Sequence, residues 1–350
     1  MGARTGSKRK VIGGVFGLES EVGGAVGPVP FLGGGPRLLG NARSGIWMVV
    51  QQTRPGQIWM PSYLCSSMLD GVPDRARVRY YDVDDTLRVT DPRWIEQVDH
   101  DDLVVFIDYF GFPADRQSLG AAKTRGAWVL EDACQAMLTE QVGEAADFVL
   151  YSPRKFFGVP DGGILTARSD LPASDVPLQK LPEDWWLTSW RSTLFRRDFD
   201  RGADRRDWFD LFRQAEASVP VGPYAMSELA SALVSRVDAS AVARRRRENY
   251  ALLLERLASC ALFPRLPDGV VPLGFPIRTS RRDAVRQRLF AEDIFPPVHW
   301  PIGDVVPPAH QHSHRLSAEI MTLPCDQRYD RDDMNRIAEA TARALHEEST

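Results

Sequence analysis

The stretch Trp128-Val129-Leu130-Glu131-Asp132-Ala133-Cys134-Gln135-Ala136 reads as a strand that runs into two acids. A second strand follows, Asp147-Phe148-Val149-Leu150-Tyr151, and passes into Ser152-Pro153-Arg154-Lys155. A Gly/Pro-rich turn from Phe156 to Gly163 then leads to a third strand, Ile164-Leu165-Thr166. An acid at one strand's carboxyl end and a lysine at another's converge on a ligand bound between them. The chain has five lysines against 38 arginines, and two of the five, Lys8 and Lys10, lie near its start. Lys155, in the most apolar region of an arginine-preferring sequence, asks for a chemical reason. A lysine can lose its proton and add to a carbonyl; an arginine cannot.

Working outward, strands alternate with helices. A helical pattern begins after Asn41-Ala42-Arg43-Ser44-Gly45, with Ile46, Val49 and Val50 on one face. A strand over 57–60 and a helix from Pro61-Ser62 to about Asp70 come next. Strands follow over 76–81 and 103–108, then a helix over 116–125 that returns to the strand entering Asp132. Such alternation implies an α/β domain with a mainly parallel sheet covered on both faces. Residues 1–11 are expected as a disordered tail, and the Gly/Pro-rich segment 12–40 as an arm or meandering loop. We expect a large cofactor-binding domain over 12–240 and a smaller C-terminal α/β domain over 241–350.

Several segments carry no regular signal. Trp185, Trp186, Trp190 and Trp208 sit among charges over 180–217 without a clean period, as packing or as a lid. A long helical pattern covers about 224–259, and the run Arg244–Arg247 on it reads as a solvated helix face. His310-Gln311-His312-Ser313-His314 would bind a metal only if extended; with Pro307-Pro308 before it and no nearby Cys or carboxylate, a surface loop is expected and no metal. His299 beside Trp300 either lines the pocket or is packed.

Composition bounds the class. The chain is 43% hydrophobic and 26% charged with a net charge of −4, which gives no reason to expect nucleic acid. Cys65, Cys134, Cys260 and Cys325 have no paired spacing, which argues against a disulfide framework or a zinc site and suits a reducing cytoplasm. No run approaches the length of a membrane span.

Three features match the three handles of a cofactor with a phosphate, a ring nitrogen and an aldehyde. The helix start at Ala42, Arg43 and Ser44 offers N–H donors and a favourable dipole to phosphate. Asp132 would hold a ring nitrogen in its protonated form, and Lys155 would make the imine. This is the layout of a pyridoxal-phosphate site. Ser152-Pro153-Arg154-Lys155 also fits the Ser-x-x-Lys of serine acyl-transfer enzymes, but the Ser-Asp-Asn and Lys-Thr-Gly partners are missing.

The block Val129–Ala136 through Lys155 to Gly162-Gly163 resembles the DegT/StrS sugar aminotransferases. Their pattern is a Glu-Asp-Ala-x-Gln/His-Ala strand end, a lysine about twenty residues later, and a Gly-Gly seven beyond it. The resemblance extends to Tyr81-Asp82-Val83-Asp84, to Tyr109–Asp115 and to Tyr224–Leu229. It implies the fold type I architecture of pyridoxal-phosphate enzymes, a homodimer, and transfer of an amino group from a donor such as glutamate to a keto-sugar nucleotide. Carried over, Lys155 is the Schiff-base lysine and Asp132 pairs with the pyridine nitrogen. Gln135 lies near the phenolic oxygen, and Ala42, Arg43 and Ser44 bind phosphate. Three positions depart from the pattern. Leu150 stands where a phosphate-binding serine is usual, Pro223 replaces an asparagine that reaches the partner's cofactor, and Ala225 replaces an arginine. Ser152, two residues after Leu150 and on the same side of an extended strand, offsets the first loss. A related dehydratase is disfavoured, because such enzymes typically lack the lysine that Lys155 supplies. A degenerate regulatory or binding protein draws support from Leu150, Pro223 and Ala225, and is opposed by Lys155 and Asp132.

Overall fold

Leu103-Val104-Val105-Phe106-Ile107 is apolar at every position, as a strand buried on both faces must be, and no residue of it is more than 3% exposed. It sits inside a seven-stranded sheet of the computed structural model, which describes residues 9–19, 35–89, 91–171 and 174–348.

In chain order the elements open with β1 (Ile12–Gly13), β2 (Arg37–Leu39), α1 (Ala42–Thr53), β3 (Ile58–Pro61) and β4 (Val78–Tyr81). Then come β5 (Leu103–Ile107), α2 (Arg116–Thr124), β6 (Trp128–Asp132), β7 (Phe148–Tyr151) and β8 (Gly163–Ala167). The helices α3 (Glu183–Asp200), α4 (Asp207–Ala217), α5 (Glu228–Val234) and α6 (Ala239–Leu257) follow. The chain closes with β9 (Phe275–Arg278), α7 (Arg282–Ala291), β10 (Ile294–Phe295), α8 (Gln311–Glu319), β11 (Ile320–Leu323) and α9 (Arg331–Glu347).

The large sheet has the order β2-β8-β7-β6-β5-β3-β4. From β7 to β4 all neighbours are parallel; β8 and β2 add at the other edge as antiparallel strands. This is the α/β fold expected, a mainly parallel mixed sheet. In the C-terminal part, β9 and β11 pair antiparallel and α9 packs against α6 and α7. A second apolar core forms there around Phe275, Leu289 and Ile337. The arm at 12–19 is partly ordered: β1 pairs in parallel with β10 in this second unit, and Ile12 is part of its core. The expected tail falls outside the described residues up to position 8. Among the described residues no helix is long and apolar enough to cross a membrane.

Four local expectations are corrected. The helix from Pro61 to Asp70 is only a short 3-10 turn, Ser66–Gly71. The pattern over 224–259 is two helices, because Asp238 caps a new start by accepting from the Ala241 N–H. The histidine-rich segment is helix α8 rather than a loop, and its His310 and His312 pair with Asp82 and Asp85. Finally, Arg246 is not on a solvated face: it is fully buried, giving Nη1 to the carbonyls of Leu273 and Pro272 and Nε to Gln327.

The segment 180–217 is a helical hairpin. The buried stripe of α3 is Trp185, Ser189, Ser192 and Arg196, spaced four, three and four apart. That is helical spacing, but three of the four are polar, so no hydrophobic period shows in the sequence. Their polar atoms are satisfied: Ser189 and Ser192 donate to the carbonyls of Pro160 and Trp208, and Arg196 to that of Gly13.

Candidate active site

The carboxyl ends of β6 and β7 lie side by side, with Asp132 in register with Leu150. Asp132 ends β6 and is 7% exposed; its Oδ1 accepts from the Cys134 N–H at 2.9 Å. Beyond β7 the chain makes one 3-10 turn, Pro153–Lys155, which brings Lys155 back over the strand ends. Lys155 is half-buried and has no ion pair or side-chain hydrogen bond among the described residues. The Cys134 thiol lies in the field of both Asp132 and Lys155, so all three groups share one region.

Gln135 is 2% exposed. Its Oε1 accepts from the Phe110 N–H at 2.7 Å, and its Nε2 has no partner among the described residues. Ser152 is buried behind Lys155. Across the sheet edge stands the start of α1, capped by Asn41, whose side chain accepts from the Ser44 N–H at 2.9 Å. The N–H groups of Ala42 and Arg43 are left without an intrahelical acceptor. The Ser44 hydroxyl accepts from the Gly222 N–H at 3.2 Å. Gly162 pairs with Asn41 as an isolated bridge, and a Cβ on Gly163 would stand 2.3 Å from the Asn41 carbonyl carbon. The Gly-Gly turn therefore presses the lysine segment against the helix start. The structure thus gathers Asp132, Gln135, Ser152 and Lys155 at two adjacent strand ends, and Ala42, Arg43 and Ser44 across from them.

A cavity of about 730 Å³ opens on one side of Lys155. Its walls come from the arm (Val15, Phe16), the α3–α4 hairpin (Trp208, Phe212) and the C-terminal part (Phe295, His299). Asp132, Gln135 and Ala42–Ser44 do not line it. His299 is half-buried, and its imidazole is held neutral, with its pKa lowered to about 3 by desolvation and, secondarily, by the charge of Lys155. Its Nδ1 shares a hydrogen with Thr322 Oγ1 at 2.8 Å. So His299 both lines the pocket and is packed.

Arg154 and Glu216 went unmarked in the sequence. Both line the cavity and pair with each other at 2.7 Å. Only the pairing of α4 with the lysine turn reveals them; an Arg in a chain of 38 carries no signal of its own.

A sequence profile of the DegT/DnrJ/EryC1/StrS aminotransferase family matches residues 74–342. The chain belongs to that family. Among solved structures, the aminotransferase TlmJ from Streptoalloteichus hindustanus is 17% identical over 93% of both chains, with a TM-score of 0.65. NtdA from Bacillus subtilis, solved with bound cofactor PMP, is 16% identical over 89% of this chain and 73% of that one, with a TM-score of 0.63. DesI, solved in the presence of its TDP-sugar product, is 19% identical over 88% of this chain and 80% of that one, at 0.62. At these identities the likeness is one of fold. A comparison with curated protein sequences gives no match.

This DegT/DnrJ/EryC1/StrS aminotransferase is therefore expected to use pyridoxal phosphate, as its family implies. The residues present fit that group. Gln135 Nε2 is a buried donor with nothing to donate to, a costly state unless a ligand acceptor completes it. Among the described residues no carboxylate pairs with Lys155, and the open N–H groups of α1 suit a phosphate.

Proposed function

We propose that this aminotransferase moves an amino group from an amino acid such as glutamate to a keto acceptor, a keto-sugar carried on a nucleotide in the reading we favour. DesI, with its TDP-sugar product, supports that acceptor class. The observation that carries the site assignment is Lys155, unpaired over adjacent strand ends beside Asp132 and Gln135. We further propose a homodimer working in a reducing cytoplasm, for which four free cysteines are suited. We propose the division into a site-carrying domain over 12–240 and a smaller one over 241–350, with the strand Ile12–Gly13 reaching across to pair in the smaller one.

When bound, pyridoxal phosphate supplies an aldehyde carbon and a ring that takes up an electron pair. The Lys155 amine is the nucleophile that anchors it, and Nζ then carries the proton from the donor's α-carbon. In the second half-reaction the same Nζ returns a proton to the acceptor's carbonyl carbon. The Asp132 carboxylate would accept from the protonated ring nitrogen, and Gln135 Nε2 would donate to the phenolic oxygen. The amides of Ala42 and Arg43, with the Ser44 and Ser152 hydroxyls, would hold the phosphate. His299, being neutral, adds no second charge next to Lys155.

Lys155→Arg keeps the charge and similar length but removes the nucleophile. It should fold, give no borohydride-trapped label with pyridoxal phosphate, and lose at least about a hundredfold in transamination, the low end for a positioned proton-transfer group. Near-wild-type turnover of this variant, or a label on Lys123 or Lys180, would defeat the assignment.

A further inference from the structure

Glu216 stands in the last turn of α4, where the carbonyl end of a helix disfavours an acid. Two guanidinium groups hold it there. One carboxylate oxygen accepts from Arg154 Nη1 at 2.7 Å, the other from Arg43 Nη2 at 3.1 Å. Asp70 is a looser second partner of Arg43, at 3.6 Å. The two arginines come from the two halves of the candidate site. Arg43 lies in the first turn of α1, and Arg154 directly precedes Lys155. The carboxylate of Glu216 therefore occupies the gap between the helix start and the lysine turn.

A phosphate held at the start of α1, on a cofactor anchored by Lys155, would face the same two arginines, since Arg43 is in the first turn of α1 and Arg154 adjoins Lys155. Nothing on β7 supplies a hydroxyl to α1 at Leu150, because this side chain packs on the helix itself: a Cβ at Gly45 would come within 2.3 Å of Leu150 Cδ1. The cations facing the gap are arginines, which bind phosphate in bidentate fashion and more strongly than neutral donors do. Independently, the orphaned Nε2 of Gln135 marks the same strand ends as built for a ligand.

We propose that Arg43 and Arg154 form the seat for the cofactor's phosphate, and that Glu216 is an internal anion which fills this seat until phosphate displaces it. The inference rests on the assignment of Lys155 and α1 as the cofactor site. A phosphate dianion outcompetes a carboxylate for two guanidinium groups beside a helix start. Its entry releases the end of α4. The chain just beyond α4 stays held to the helix start, Asn41 Nδ2 donating to the Pro220 carbonyl and the Gly222 N–H to Ser44, so the release is confined to α4. Loading is thereby coupled to the hairpin that walls the cavity.

The test uses the full cofactor-free chain, inorganic phosphate as probe, and two readouts, phosphate affinity and amide exchange over α4, residues 207–217. In the wild type, phosphate should speed exchange in that segment. Glu216→Gln should exchange fast without phosphate and bind it about tenfold tighter, while Arg154→Gln and Arg43→Gln should each bind about tenfold weaker, roughly one charge-assisted pair apiece. If Glu216→Gln binds phosphate no tighter, or phosphate leaves the exchange unchanged, Glu216 is a brace and the proposal is wrong. Labelling of Lys155 by pyridoxal phosphate and borohydride is scored separately, so loss of the site assignment is told apart from loss of this one.

Discussion

Gly163 has no room for a methyl group. Its Cβ would lie 2.3 Å from the Asn41 carbonyl carbon and 2.6 Å from the Ala42 nitrogen, both backbone atoms that cannot swing away. Gly162 before it has φ of +132°, in a region that L side chains rarely adopt. Gly163→Ala should therefore push the lysine turn off the start of α1. The expected cost is about 1–3 kcal/mol of stability, as for other overpacked sites. Retention of pyridoxal phosphate through gel filtration should fall with it. Urea denaturation and the absorbance of the eluted protein measure the two effects; a variant as stable as the wild type would mean that the contact yields. At this same scale Arg246 shows how little a residue type reveals. One of four consecutive arginines points inward to two carbonyls and a glutamine, while Arg244 and Arg245 face solvent.

Among the elements, the turn after β11 ties the arm to the C-terminal unit. Arg328 gives Nη1 to the Val15 carbonyl at 3.0 Å and Nη2 to that of Gly14 at 3.1 Å. It is paired to Asp326 through Nε at 2.8 Å and Nη2 at 2.9 Å. Burial alone would raise the Asp326 carboxyl, yet the charge and hydrogen bonds of Arg328 carry it below its ordinary value. A group with a depressed folded pKa contributes stability above its unfolded pKa and loses it as pH falls through the folded one. Stability should thus decline below about pH 4, and Asp326→Asn should flatten this part of the profile. The substitution also leaves a largely buried guanidinium without its carboxylate, which costs about 3 kcal/mol. Urea midpoints measured from pH 7 down to 3 check both statements; an unchanged acid limb would place the titration elsewhere.

For the whole molecule, the proposed function goes with a symmetric dimer, the commonest oligomer. Sedimentation at micromolar concentration should show two chains per particle, and an active monomer would contradict it. What the sequence determined by itself was the fold class and the order of the candidate site residues along the chain, because both rest on short-range pattern. Strands with every position apolar, the Glu-Asp-Ala end of β6, and the spacing from Lys155 to Gly162-Gly163 are all readable within about forty residues. What only the tertiary structure decided were matters set by partners far along the chain. The α3–α4 hairpin hid because its buried stripe is mostly polar, Ser189, Ser192 and Arg196 each donating to a distant carbonyl. His310 and His312, at the start of α8, found aspartates more than two hundred residues away. Glu216 acquired its place only when two arginines from separate turns closed on one carboxylate. Local propensity registes the period of apolar side chains, whereas a charge or a hydroxyl takes its role from whatever the fold sets against it.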